Sequence, residues 1–240
     1  RLPGSGACRF ATVLNLTDHK EPQTAGAPSR GTLPLRFLLG PAEQSPADFA
    51  HDLAREPVTE EMAGFSLLCA SFGGSSGASA EAAFVRNRAG AGEAALCPAL
   101  GPGVHALAND GTLASSWGRV QRGRRLLAEA LRAPGPRLGE ELFQRLLLDR
   151  GVPDPTVPEG EVKRGNLPLF IEPEGEAAEA HGTRTSTVVL CSRSGEVFVA
   201  ERCFNTALGL LGAELAYVSR GGESVWMPQL ASEAVPRSRL

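Results

Sequence analysis

The residues best placed to do chemistry lie in one stretch, His181-Gly182-Thr183-Arg184-Thr185-Ser186-Thr187-Val188-Val189-Leu190. In an extended chain, Thr183, Thr185 and Thr187 share one face, and Arg184 and Ser186 share the other. An arginine flanked by hydroxyls at the head of a central strand can bind an anion or polarise a carbonyl. The same residues also read as plain structure, with Arg184 paired to a carboxylate and the threonines serving as strand formers. Val188-Val189-Leu190 does not alternate, which predicts that this end of the strand is buried on both faces. Ser192-Arg193-Ser194-Gly195 then reads as a turn. The run Glu196 to Arg202 follows as a partner strand, with Val197 and Val199 apolar and Glu196 and Arg202 polar. Together these pieces predict a β-hairpin.

The elements before the hairpin must hold it in place. Arg9 to Asn15 reads as a strand and Leu16 to Ser29 as a loop. Leu33 to Leu39 reads as a short helix with Pro34 in its first turn and Gly40 at its end. Ser45-Pro46 is a helix start, a capping serine followed by proline at the first helical position. That helix should carry Phe49, Ala50 and Leu53 inward and stop before Pro57. Met62 to Phe72 and Ala83 to Arg86 read as paired strands joined by a Gly/Ser tip. Gly73-Gly74-Ser75-Ser76-Gly77 fits the Gly-x-Ser-x-Gly pattern, but a nucleophile elbow needs a strand-to-helix turn and this tip joins two strands.

Gly103 to Asn109 reads as a strand ending in the turn Asn109-Asp110-Gly111. A helix from about Trp117 to Gly135-Pro136 carries Arg119, Arg122, Arg124 and Arg125, a solvated basic face. A second helix spans Gly139 to Arg150. Val152 to Asn166 and the glutamate-rich Glu172 to Ala180 read as loops on either side of a strand, Leu167 to Ile171. After the hairpin, Phe204 to Gly212 reads as a short helix and Ala213 to Ser219 as a last strand, with a flexible tail from Arg220. Strands and helices both come in pairs, which predicts an α+β sandwich with helices covering sheet faces.

Composition narrows the function classes. The chain has 240 residues, 24 basic and 27 acidic, and a net charge of −3. A nucleic-acid binder would need a basic face, and base stacking would need more than 5% aromatics. No nucleic-acid partner is expected. No segment approaches the ~18 apolar residues of a transmembrane helix. Five cysteines are scattered without a Cys-x-x-Cys pair, so reduced, mostly buried thiols of an intracellular protein are expected. Four scattered histidines and these cysteines give no zinc-ligand spacing. Asn15-Leu16-Thr17 fits the N-glycosylation pattern, which would matter only in a secreted protein.

Gly182-Thr183-Arg184-Thr185-Ser186-Thr187-Val188-Val189-Leu190, then a turn, then Val197-Phe198-Val199-Ala200-Glu201-Arg202, resembles the C-terminal signature of the transport and Golgi organisation protein 2 family, also called the NRDE family. Other pieces recur in the family's order. Phe10 to Asn15 resembles its "Phe-Ala-x-x-x-Asn" strand, and Ser29-Arg30-Gly31 with Phe37-Leu38 resembles its "Ser-Arg-Gly-x-Leu…Phe-Leu" helix. Gly64 to Leu68 and Pro102 to Asn109 followed by Trp117 match two further stretches. The chain departs from the family with Leu14 for threonine, Ala106 for glycine and Ala108 for serine. The family's opening Met-Cys and its Asn-Arg-Asp-Glu motif would precede Arg1, together with its first strands.

The resemblance implies an αββα sandwich of the N-terminal-nucleophile-hydrolase type with its first strands missing. It implies a single domain over residues 1–219, with 220–240 as a flexible tail. An isolated chain with open sheet edges is expected to aggregate. The resemblance further implies an intracellular trafficking role in Golgi organisation and secretion, in haem or lipid-metabolite handling, and in mitochondrial metabolism. A cytoplasmic location with Golgi or mitochondrial association goes with it. On this reading the protein is non-enzymatic and uses no cofactor, with haem as a possible cargo. Arg184 would pair with a carboxylate such as a haem propionate, beside Thr183, Thr185, Asn15 and Asn109. The alternative is an amide hydrolase with an N-terminal cysteine, in which Arg184 and Asn109 would bind substrate or oxyanion.

Overall fold

The computed structural model describes residues 8–17, 21, 25–72, 80–89, 95–113, 115, 117–132, 138–151, 168–171, 182–191, 197–205, 210–220 and 223–229; at 205, 210–220 and 223–229 the backbone alone is considered. The Gly73–Gly77 match, the acidic loop, His181 and the hairpin turn fall outside them. The chain divides into two compact units, residues 1–115 with 193–195, and residues 116–192 with 196–240.

In the first unit a four-stranded antiparallel sheet has the order β1-β2-β3-β4. β1 is Cys8–Asn15, β2 Phe65–Phe72, β3 Glu81–Arg86 and β4 Leu96–Cys97. Helices α1 (Thr32–Leu39), α2 (Pro46–Ala54) and the short α3 (Val58–Glu61) cover one face. The period of two puts Phe65, Leu67 and Cys69 of β2 on that face, with Ala83 and Val85 of β3. The helices meet them with Leu33, Phe37, Phe49, Ala50 and Leu53, all buried. α2 begins as its sequence dictates. Pro46 is its first residue, and Ser45 Oγ accepts the Asp48 N–H at 3.1 Å.

In the second unit, α4 (Gly118–Arg132) and α5 (Leu138–Leu142) lead into a π-helical turn, Phe143–Leu147. These pack on an antiparallel sheet of order β5-β6-β7-β8: Thr185–Cys191, Val197–Asn205, Leu210–Arg220 and Glu223–Gln229. Its core joins Ala130, Leu142 and Phe143 to Val188 and Ala200. The fold class is therefore mixed α+β with antiparallel sheets.

Several expectations are corrected. Gly103 to Asn109 forms no ladder, and β3 instead takes the two-residue strand β4 as its neighbour. Gly103 sits at φ +154°, outside the strand region. Residues 168–171 bend rather than form a strand, because Phe170 and Thr183 spend their N–H groups on the Asp149 and Ile171 carbonyls. The expected helix from Phe204 gives way to strand at both ends, β6 running to Asn205 and β7 starting at Leu210. β8 falls where the composition reads as tail, and its Val225-Trp226-Met227 is strand-forming sequence. Among the described residues, β5 is an edge strand of its sheet, not a central one. Val189 is 37% exposed, so this strand is not buried on both faces. Ser186 and Val188 face the helices while Thr185, Thr187 and Val189 face away. Arg202, expected on a wet face, is buried with them.

Candidate functional site

The sequence candidates fall into two groups, one in each unit. In the first unit, β1 ends at Asn15 and the chain turns away. Leu16 N–H donates to the Gly64 carbonyl (3.0 Å), and Thr17 N–H to the Asn109 carbonyl (2.9 Å). Asn109 Nδ2 donates to the Asn15 carbonyl at 2.9 Å across 94 residues. Asn15 and Asn109 are thus neighbours, and one of the two N–H groups of the Asn109 side chain holds the end of a strand.

Beneath this crossing lies a buried polar pair that sequence reasoning missed. Ser66 of β2 stands directly opposite Arg86 of β3, on the face away from the helices. Both are buried, at 0% and 4% exposure. Arg86 Nη1 donates to the Gly111 carbonyl at 2.7 Å and pins the Asn109–Gly111 turn to the sheet. Gly111 has φ +71°, and a Cβ there would meet Leu16 Cδ2 at 2.4 Å and Ser66 Oγ at 3.2 Å. The turn therefore needs glycine for its backbone and for close approach. Among the described residues, Ser66 Oγ is buried without a hydrogen-bond partner. The available signal was alternation: with Phe65, Leu67 and Val85 facing the helices, Ser66 and Arg86 must face the other way.

In the second unit, the Thr183 to Thr185 stretch enters β5. Thr183 bonds Ile171 twice, its N–H donating to the carbonyl at 2.9 Å and its Oγ1 accepting the Ile171 N–H at 3.0 Å. The Thr183 hydroxyl proton remains available to an acceptor. The Arg184 carbonyl accepts the Phe204 N–H at 2.8 Å, which fixes its backbone against β6. Its side chain is exposed, and among the described residues no ion pair holds it. The plain structural reading, Arg184 paired with a carboxylate, finds no such partner there. Thr185 is exposed and lies opposite Cys203 in the β5–β6 register. On the same face, Thr187 Oγ1 donates to Glu201 Oε2 at 2.8 Å.

The other strand arginine behaves differently. Arg202 is 8% exposed, bonds Glu140 Oε2 through Nη2 at 2.5 Å, and lies 4.2 Å over the Phe143 ring. It ties β6 to the helical layer. The cysteines are all free thiols. Burial pushes the Cys69 thiol up to about 12, with the Arg9 charge lowering it by less, so it is no nucleophile at neutral pH. Among the described residues, no cluster of three or more His, Cys, Asp or Glu could hold a metal. No helix among them is long and apolar enough to cross a membrane.

Comparison with known proteins adds one finding. The family model described as Transport and Golgi organisation 2 matches residues 5–206, which takes in both groups of candidates. No curated protein matches the chain.

Proposed function

The chain belongs to the Transport and Golgi organisation 2 family, and from that premise we propose that it is a non-enzymatic trafficking protein that carries an amphipathic carboxylate. Haem or an acidic lipid metabolite is the cargo class, and the cytoplasm and Golgi surface are the place of work. The cargo site lies at the head of β5. Arg184 pairs with the carboxylate through two parallel N–H···O bonds, with Thr183 and Thr185 as the hydroxyls beside it. Asn15 and Asn109, neighbours in the first unit, are the further ligand-binding candidates. We propose further that residues 1–219 form a single domain, an αββα sandwich of the N-terminal-nucleophile-hydrolase type.

One observation carries this reading. Arg184 is an exposed guanidinium with a fixed backbone and no ion-pair partner among the described residues, beside a threonine whose proton is available. Structural arginines of this chain look otherwise, as Arg202 and Arg122 do in their carboxylate pairs. The test is an absorbance titration of the chain with haem. The expected result is a saturable spectral change that Arg184→Ala weakens by about tenfold or more, the scale of a lost charged hydrogen bond. Arg184→Lys should recover only part, because an ammonium cannot make the paired contact. No spectral change, or an equal one in Arg184→Ala, would sink the reading.

A further inference from the structure

We propose that the cleft between α1 and α2 docks a basic amphipathic segment of a partner protein. The surface is in the first unit and independent of Arg184. α1 has two apolar stripes. Leu33 and Phe37 are fully buried in the core. Leu35 and Leu39, four residues apart on another face, are 56% and 82% exposed. They line a cleft of about 540 Å³ whose far wall is α2, with Phe49 at its base. That volume suits several side chains, and a paired apolar stripe beside an open cleft marks an interaction surface.

The cleft is preformed. Arg36 reaches across it to Glu56 in a two-bond ion pair (2.5 and 2.9 Å), and Gln44 Nε2 donates to Asp52 at 3.1 Å. Arg9 fixes the closing loop from behind, with Nη2 bonded to the Pro41, Ala42 and Gln44 carbonyls. A partner therefore meets a rigid surface and loses little to ordering it.

Charge selects the partner. The Arg36 charge is matched by Glu56, which leaves Asp52 as the carboxylate facing the cleft with a neutral neighbour. The segment from Thr32 to Glu61 holds six acidic side chains against two arginines, and Arg9 and Arg88, bonded to its carbonyls, still leave the layer net negative. An anionic lipid surface is repelled by this layer, whereas a helix with leucines on one face and lysines or arginines at its edges fits stripe and rim together. The chain's own basic helix α4 keeps Val120 and Ala130 buried, so a second copy does not offer that segment.

The test uses the full chain and a labelled synthetic Leu/Lys amphipathic helix, followed by fluorescence anisotropy, with a Leu/Glu helix of the same pattern as control. The Leu/Lys helix should bind saturably and the Leu/Glu helix should not. Leu35→Asp and Leu39→Asp should each weaken binding by about tenfold or more without changing the circular dichroism, since both side chains are exposed. Asp52→Asn should weaken it by about threefold and flatten its salt dependence. Absence of binding, equal binding of the Leu/Glu helix, or binding that ignores the leucine substitutions would overturn the proposal. So would sedimentation showing a self-associated chain that Leu39→Asp disperses, because the occupant would then be a second copy.

Discussion

Arg9 does more structural work than its place in a strand announces. Its guanidinium donates to five carbonyls, those of Phe37, Gly40, Pro41, Ala42 and Gln44, and lies 4.7 Å over the Phe37 ring. These carbonyls lie at the end of α1 and in the loop beyond it, where, among the described residues, only those of Phe37 and Pro41 also accept a backbone N–H, from Gly40 and Gln44. A cation at a helix C-terminus also meets the negative end of the dipole. Arg9→Ala should cost about 2–4 kcal/mol in denaturant unfolding, and Arg9→Lys should regain less than half, because an ammonium cannot span the fork. A loss within ~0.5 kcal/mol would mean that water serves those carbonyls as well. Nothing in the sequence pointed to Arg9, because its partners are backbone atoms with no pattern to read. Cys69 gives a second check at this scale. With its thiol pushed up to about 12 inside the first core, iodoacetamide at pH 8 should label it only after unfolding. Asn15 and Asn109 were legible as candidates through the family resemblance, yet not their use, since an asparagine that binds a ligand and one that ties a strand end look alike in sequence.

Between elements, the Arg122–Asp149 pair links α4 to the end of the π-helical turn through bonds of 2.6 Å at both guanidinium positions. The hydrogen bonds from Arg122 hold the Asp149 carboxyl below its ordinary value of 3.8. A carboxylate whose folded value is lowered stabilises the fold fully above its unfolded value and loses that contribution as pH falls through the folded one. Asp149→Asn should therefore destabilise the chain by about 1–2 kcal/mol at pH 7, with the gap to wild type closing below pH 3.8. A gap that stays constant down to pH 2 would show that packing, not charge, is responsible. Helix starts were the easiest elements to foresee, since Ser45-Pro46 states its own capping chemistry. The π turn was not foreseeable. Its extra residue is set by the Leu148 N–H bonding back to the Phe143 carbonyl at 2.9 Å, a choice made by packing rather than by local sequence. Strands were misjudged where apolar runs lacked a ladder partner or where β-branched sequence lay on an edge. Val189 reads as core by composition and sits at 37% exposure, because burial follows neighbours rather than hydropathy.

For the whole molecule, pairing of strands and helices was enough to read an antiparallel α+β architecture, because each amphipathic element must cover another. Register across distant strands, which brings Ser66 opposite Arg86, was beyond reach, because no local residue encodes it. Each unit has a core of its own, and the proposed single domain predicts one cooperative transition. Leu33→Ala in the first core and Leu142→Ala in the second should each lower that one transition by about 2–4 kcal/mol. Two transitions, each moved by one substitution only, would show independent domains. Amide hydrogen exchange with and without haem locates the cargo directly. Cargo at the head of β5 should slow exchange in residues 183–188 and in the facing β6 residues Arg202 to Phe204. Slowing confined to other segments, or none at saturating haem, would contradict it.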